Sequence, residues 1–306
     1  MLLSEFIASA LAGLESLYPR AEARSMVSIL VCERLGVQSW THIANPSFEV
    51  PEQSLAQLEA DLQKLLASEP LQYVLGYAEF YGRRFRVTKD VLIPRPETEL
   101  LVDTVLQKLK SASRDCDGAP KILDLCTGSG CIAWTLALEP VGAQLTAIDI
   151  SPAALAIARS QFSAELSQGA EVTFIEADVL DLSEEGLSGA HSKLALGQFD
   201  VIVSNPPYVM EQEKALMRSN VLDHEPALAL FVPDDDPLIF YRAIAHHASR
   251  LLSAHGWGIV EINTLLAEPT AECFRQAGLQ DVTILPDLSG KPRFVSFSAG
   301  TPPLSR

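Results

Sequence analysis

The sequence has no apolar run approaching the roughly 20 residues that a membrane-spanning helix requires. It also lacks the basic start of a secretory leader: its opening, MLLSEFIASALAGLESLYPR, interrupts its apolar positions with Glu5 and Glu15. Cysteine is scarce. Cys32, Cys116, Cys126, Cys131 and Cys273 are scattered and odd in number, which fits reduced thiols rather than a disulfide framework. There is no CxxC or HxxxH pair, so no metal site is expected. Basic residues are in deficit, with 23 Lys and Arg against 39 Asp and Glu and a net charge of −16. Bulk nucleic-acid binding needs clustered cations to neutralise phosphate, and the deficit argues against it. The same charge suits a basic protein partner drawn in by long-range attraction, or serves solubility alone. Internal repeats and low-complexity tracts are missing too. These absences lead us to expect a soluble, cytoplasmic protein with no membrane contact.

What is present is 48% hydrophobic residues in 306, enough to bury a sizeable core in two modest domains. Over the first 70 residues the apolar positions recur at helical spacing. Leu3, Phe6, Ile7, Leu11, Leu14 and Leu17 share a face, and Pro19 ends the run. A second segment carries Met26, Ile29 and Leu30 and stops near Gly36; a third starts at Pro51 with Leu55, Leu58, Leu62, Leu65 and Leu66. Three short amphipathic helices predict a small bundle over residues 1–72. Tyr73–Val87 is rich in aromatic and β-branched residues and punctuated by Gly76 and Gly82, which reads as a β-hairpin within a linker over 73–95. The run Ile93-Pro94-Arg95-Pro96-Glu97-Thr98-Glu99 then opens a helix to about Lys110, with Thr98 or the acidic pair as its cap.

Residues 96–306 alternate strands and helices. Strands are predicted at Lys121–Leu125, Gln144–Ile150, Glu171–Glu176, Phe199–Ser204, Gly258–Ile262, Val282–Leu285 and Arg293–Phe297. Helical patterns lie at Cys131–Leu138, Pro152–Leu166, Pro237–Leu252 and Leu265–Ala277. The alternation predicts an α/β fold with a mainly parallel sheet, closed by an antiparallel hairpin.

The first of these strands runs through Asp124 and Leu125 into Cys126-Thr127-Gly128-Ser129-Gly130 and a helix. Glycines there let backbone approach a ligand, and the helix start offers free N–H groups. Some 20 residues on, the second strand ends at Asp149, an acid placed to bind both hydroxyls of a ribose. Gly128-x-Gly130-x-x-Ala133 also satisfies a relaxed dinucleotide fingerprint, so this stretch alone leaves NAD and S-adenosylmethionine (SAM) both open. Asp178, after the third strand, is placed to reach an adenine amino group while Val179 packs the ring, or is an ordinary loop residue.

Asn205-Pro206-Pro207-Tyr208 separates these readings. Two prolines after a buried strand stop the strand and remove two backbone donors. The Asn205 side-chain oxygen and the carbonyls of Asn205 and Pro206 are then acceptors suited to an NH2 group, and Tyr208 is suited to stack on a planar amide. A delocalised amide or aryl-amine nitrogen is a poor nucleophile, and acceptors on both its hydrogens return electron density to it and aim it. Hydride transfer has no use for such a pair. The pattern therefore points to SAM-dependent methylation of a planar nitrogen.

Asn-Pro-Pro-Tyr resembles the signature of amino methyltransferases acting on adenine, cytosine or glutamine amides. Gln72-Tyr73-Val74-Leu75-Gly76, Glu79-Phe80-Tyr81-Gly82 and Val91-Leu92-Ile93 with the PRPETE run that follows resemble the linker of bacterial release factor glutamine methyltransferases. That likeness spans nearly the whole chain, to His224-Glu225-Pro226. The linker separates the chain from ribosomal-protein glutamine methyltransferases, which vary around the PRPETE position. The resemblance implies a Rossmann-like, seven-stranded SAM-binding domain behind a helical substrate-recognition domain. It implies methylation of the glutamine in the Gly-Gly-Gln loop of class-I peptide-chain release factors, with S-adenosylhomocysteine as product. By the same resemblance Cys126, Thr127, Gly128, Ser129, Gly130 and Asp149 hold SAM, with Asp178 and Val179 at its adenine and Asn205 beside it. Asn205, Pro206, Pro207 and Tyr208 hold the glutamine. Cys126 stands where many members carry glycine, which puts a positive φ there in question.

Other readings weigh less. Adenine methylation on nucleic acid shares the Asn-Pro-Pro-Tyr loop but predicts a basic groove, and a SAM sensor leaves that loop unexplained. His224-Glu225-Pro226 is read as a loop rather than a base. The neighbours His246 and His247 do not share a helix face. Asp234-Asp235-Asp236 is expected to cap the helix after Pro237, and Lys291 and Arg293 to be solvated.

Overall fold

The computed structural model describes residues 1–112, 118–140, 142–162, 170–182 and 198–300. Cys116 and the predicted helical residues up to Leu166 lie partly or wholly outside this set. The chain forms two compact units, Met1–Tyr77 with Met217–His224, and Ala78–Leu216 with Glu225–Arg306. No described helix is long and apolar enough to cross a membrane.

The first unit is a helical bundle of α1 (Leu3–Leu14), α2 (Arg20–Leu35), α3 (Thr41–Ala44), α4 (Glu52–Leu66) and α5 (Leu71–Leu75). Leu3, Phe6, Ala10 and Leu14 of α1 pack with Val27 and Leu30 of α2 and Leu58 and Leu65 of α4. Leu17 and Ile29, read as part of the apolar faces, are exposed; Leu17 falls beyond the end of α1, and Ile29 sits beside the buried stripe rather than in it. Tyr73–Leu75 corrects the predicted hairpin: it is helical. Pro70 sets the first turn, Gly76 closes α5 with φ 87°, and Val74 is buried with the bundle. The hairpin is confined to β1 (Tyr77–Phe80) and β2 (Arg83–Arg86).

The second unit carries a seven-stranded sheet built from β3 (Lys121–Leu125), β4 (Gln144–Asp149), β5 (Val172–Glu176), β6 (Phe199–Ser204), β9 (Leu252–Glu261), β10 (Gln280–Pro286) and β11 (Pro292–Ser298), while β7 (Val209–Met210) and β8 (Phe231–Val232) pair separately. The order is β10-β11-β9-β6-β3-β4-β5. Strands β3, β4, β5, β6 and β9 run parallel, and β11 and β10 close the sheet antiparallel. Successive residues feed opposite faces, as the pleat requires. Ile122, Val201, Val203 and Ile259 pack under α6 (Thr98–Ala112) and α7 (Cys131–Leu138), with Phe80 and Phe85 of the hairpin. Leu123, Ile202 and Val260 pack under the helices at Ile239–Leu251 and Ala267–Gln276. The sheet order reverses at β3, and that crevice is where open α/β sheets bind ligands.

Of the expected caps of α6, Glu99 of the acidic pair does lie in its first turn. The Thr98 hydroxyl does not cap α6 but donates to Glu261. The aspartates before Pro237 make no side-chain cap bond to the helix at Ile239–Leu251; Asp234 accepts from the Gln212 backbone N–H, and Asp236 from Arg242 in that helix's first turn. Arg293 is not free in solvent; its guanidinium lies 3.2 Å from Asp287.

In the bundle, Asp61 has a fully buried side chain, and it accepts from Arg34 Nε at 2.6 Å and Gln57 Nε2 at 2.9 Å. Arg34 also donates to the Val74 carbonyl, tying α2 to α5. Removing Arg34 leaves the buried carboxylate with only Gln57 and the more distant Lys64, 3.9 Å from Oδ1. Arg34→Met is expected to lower stability by about 3 kcal/mol in equilibrium urea unfolding of the full chain. A change below about 0.5 kcal/mol would mean that Asp61 does not depend on its partner.

Candidate active site

The carboxyl ends of β3, β4, β5 and β6 open onto one cavity of about 320 Å³. Its walls are Cys126–Ser129, Ile148–Ser151, Ala177–Leu180, Asn205 and Pro207, closed by Val91, Pro94, Arg95 and Thr98 from the segment leading into α6.

The glycine loop is held by its backbone. Thr127 N–H donates to the Ile148 carbonyl at 2.9 Å and Gly130 N–H to the Thr127 carbonyl at 2.9 Å. Gly130 has φ 78°, and a Cβ there would lie 3.0 Å from the Ala158 Cβ and 3.2 Å from the Trp134 ring, so a side chain before α7 would be both strained and crowded. Cys126 keeps the left-handed conformation that its glycine-like position demands, with φ 62°. Burial pushes its thiol well above the ordinary range, aided by Asp149 and Asp124; a protonated thiol is a weak nucleophile.

Asp149 accepts from Gly128 N–H at 2.8 Å and Ser151 N–H at 2.9 Å, so both oxygens are fixed and retain lone pairs toward the cavity. Burial raises its carboxyl pKa, against those N–H donors. Asp178 accepts from Leu180 N–H at 2.8 Å, capping a short turn at Val179–Asp181. Val179 is buried against the cavity, and its carbonyl lies 2.9 Å from His247 Nε2. A carbonyl only accepts, so that nitrogen carries the proton.

Beyond β6 the prolines take the chain out of the sheet. Asn205 and Pro207 line the cavity; Pro206 and Tyr208 are not part of its lining. Asn205 Nδ2 donates to Thr98 Oγ1 at 3.2 Å, and Thr98 Oγ1 to Glu261 Oε2 at 2.6 Å. Tyr208 Oη donates to Glu261 Oε1 at 2.9 Å, and the Tyr208 carbonyl accepts from Asn263 Nδ2 at 3.1 Å. Burial raises the Glu261 carboxyl pKa, opposed by Thr98, Tyr208 and Arg293.

Sequence reasoning missed several of these residues. Glu261 ends an apolar parallel strand, the same signal that pointed to Asp149. Glu225 has its carboxylate buried and accepts from Arg95 at 2.7 Å and Ile93 N–H at 3.2 Å, anchoring the PRPETE segment. No local pattern marks that role. Asp124, read only as part of a strand, lies fully buried under the loop. Thr127 Oγ1 donates to its Oδ2 at 2.6 Å, and its Oδ1 has no partner among the described residues.

The donor set fits SAM. Two anchored carboxylates, Asp149 and Asp178, line the cavity together with apolar Ile148, Ile150, Val179 and Leu180, which matches ribose hydroxyls and an amine beside an apolar purine face.

Comparisons with known proteins agree with this geometry. The methyltransferase small domain family model matches residues 97–225, and that of the PrmC N-terminal domain matches residues 5–76. The fold resembles the hMettl16 catalytic domain solved with a 3′UTR hairpin, with a TM-score of 0.52 and 16% identity, over 82% of this chain and 84% of that one. The class is thus a Rossmann-like, SAM-dependent methyltransferase. The release factor glutamine methyltransferase of Bacteroides thetaiotaomicron is 41% identical over 93% of this chain and 95% of its own length. That of Flavobacterium psychrophilum is 38% identical over 97% and 99%. The chain belongs to the release factor glutamine methyltransferase family.

Burial pushes the Asp124 carboxyl up to about 7, against its bond from Thr127 and with the help of the Asp149 charge. A carboxyl raised from 3.8 binds more protons folded than unfolded between those values, so it costs the fold stability as pH rises from about 4 to about 7. Asp124→Asn removes that cost. The melting temperature of the variant relative to the parent is expected to climb from pH 5 to about pH 7 and then level off. A flat difference would show that Asp124 titrates normally.

Proposed function

We infer that this enzyme transfers a methyl group from SAM to the side-chain nitrogen of the glutamine in the Gly-Gly-Gln loop of class-I release factors. The observation that carries the reading is the Asn205 amide at the cavity wall, next to the glycine loop and Asp149. Family membership supplies the substrate.

Asp149 and the backbone of Cys126–Gly130 hold the donor, with Asp178 and Val179 at its base. Bound there, SAM supplies a methyl group on a sulfonium and leaves as S-adenosylhomocysteine. Asn205 Oδ1 and the Pro206 carbonyl accept the two amide hydrogens of the glutamine. Those bonds pull the nitrogen lone pair out of conjugation and aim it at the methyl group, so positioning rather than prior deprotonation drives transfer. The S–CH3 bond breaks as the N–CH3 bond forms, and the nitrogen then gives up one of its two protons to solvent. Tyr208 packs behind the amide, and Pro207 shapes the wall.

Residues 1–72 are assigned the grip on the release factor, binding that supplies specificity without touching the reacting atoms. The exposed Trp40 and Ile43, at 59% and 71%, are suited to anchor such a partner. The charge of −16 favours a basic partner over nucleic acid. Scattered thiols and a substrate of the translation apparatus support a cytoplasmic location.

Unmethylated release factor incubated with enzyme and SAM is expected to gain one methyl, about 14 Da by mass spectrometry, on the Gly-Gly-Gln glutamine. Asn205→Ala should lower kcat on the order of 10²–10³-fold while keeping S-adenosylhomocysteine affinity. A methyl on adenine or a ribosomal protein instead would overturn the substrate and keep the chemistry.

A further inference from the structure

We propose that Thr98, polarised by Glu261, is a positioning residue that decides which end of the Asn205 amide faces the reacting glutamine. The proposal rests on the functional reading above, in which Asn205 must offer an oxygen to an NH2 group.

An asparagine amide turned by 180° fills nearly the same space, so packing does not choose its orientation; hydrogen-bond direction does. Glu261 is 1% exposed; the Thr98 and Tyr208 hydroxyls and Arg293 favour its ionised form against the rise that burial causes, and an ionised carboxylate only accepts. Thr98, 2% exposed, has a single hydroxyl hydrogen, and the 2.6 Å bond commits it to Glu261 Oε2. What Thr98 Oγ1 turns toward Asn205 is therefore lone pairs. Asn205 meets them with Nδ2 at 3.2 Å, which leaves Oδ1 as the end available to a substrate. The opposite orientation sets two acceptors against each other at Thr98 and two donors against each other at the glutamine. Thr98 and Glu261 are both buried, so solvent has little room to relieve the mismatch on the Thr98 side. The second Glu261 oxygen takes the Tyr208 hydroxyl, so one carboxylate aligns the first and last residues of the loop.

The test uses the full-length enzyme with unmethylated release factor, and S-adenosylhomocysteine affinity by calorimetry as the fold control. Thr98→Val keeps the shape and loses both donor and acceptor; Thr98→Ser keeps the hydroxyl. We expect Thr98→Val to lower kcat about ten-fold or more, with KM and S-adenosylhomocysteine affinity within about three-fold, and Thr98→Ser to keep at least about a third of kcat. Glu261→Met is expected to lower kcat in the parent and clearly less in the Thr98→Val background, because its route to Asn205 is already cut. Equal losses in Thr98→Val and Thr98→Ser, losses confined to KM or cofactor affinity, or additive Glu261 and Thr98 effects would each overturn the proposal. Should Glu261→Met fail to bind S-adenosylhomocysteine, the valine and serine pair decides alone. A parent enzyme that leaves the glutamine unmethylated sinks the functional reading and this proposal together, whereas parent activity with an unimpaired Thr98→Val variant sinks only the proposal.

Discussion

Everything at the active site hangs from the register of β3 between β4 and β6. Leu125 stands level with Ile148 on one side and Ser204 on the other, and Ser204 Oγ donates to the Leu125 carbonyl at 2.7 Å. With those ladders fixed, the glycine loop, Asp149 and Asn205 leave the sheet at one height and face one cavity. A slip of one residue would turn Ile122 and Leu123 to the wrong faces, and both faces here are buried under helices. The apolar packing thus sets the geometry of the polar loops.

The second constraint is the number of carboxylates held away from water. Asp124, Asp149, Glu225 and Glu261 lie within or around the site, and each meets specific donors rather than a cation alone. A buried carboxylate with directional donors fixes the orientation of its neighbours, because a group that only accepts dictates where every hydrogen points. Glu225 fixes Arg95 and Ile93, and Asp149 fixes Gly128 and Ser151. Asp124 is the exception, with one oxygen unpaired among the described residues, and burial pushes its carboxyl up to about 7.

Much of this was legible locally. The alternation of apolar runs and glycine or proline punctuation predicted the parallel sheet and its closing hairpin, and their residue ranges agree with the strands to within a few positions. β9 is the widest exception, starting at Leu252 rather than Gly258. The Tyr73–Leu75 segment misled because its aromatic and β-branched residues suit a strand, whereas Pro70 and Gly76 frame a helical turn that buries Val74. Thr98 and Asp236 looked like helix caps because capping is the cheapest local use of such side chains. Each found a stronger partner, a buried carboxylate for Thr98 and the Arg242 guanidinium for Asp236.

The sequence by itself determined the chemistry on offer: a glycine turn with an acid at the next strand end, and a proline-stiffened loop rich in acceptors. Those features are short-range, set by φ preferences, missing N–H groups and the pleat period. Only the tertiary structure decided how the loop is held. Thr98 and Glu261 are 163 residues apart in the chain, and Asn205 and Thr98 are 107 apart. No local pattern records such a pairing, because the direction of a buried hydrogen bond is settled by whichever groups packing brings together.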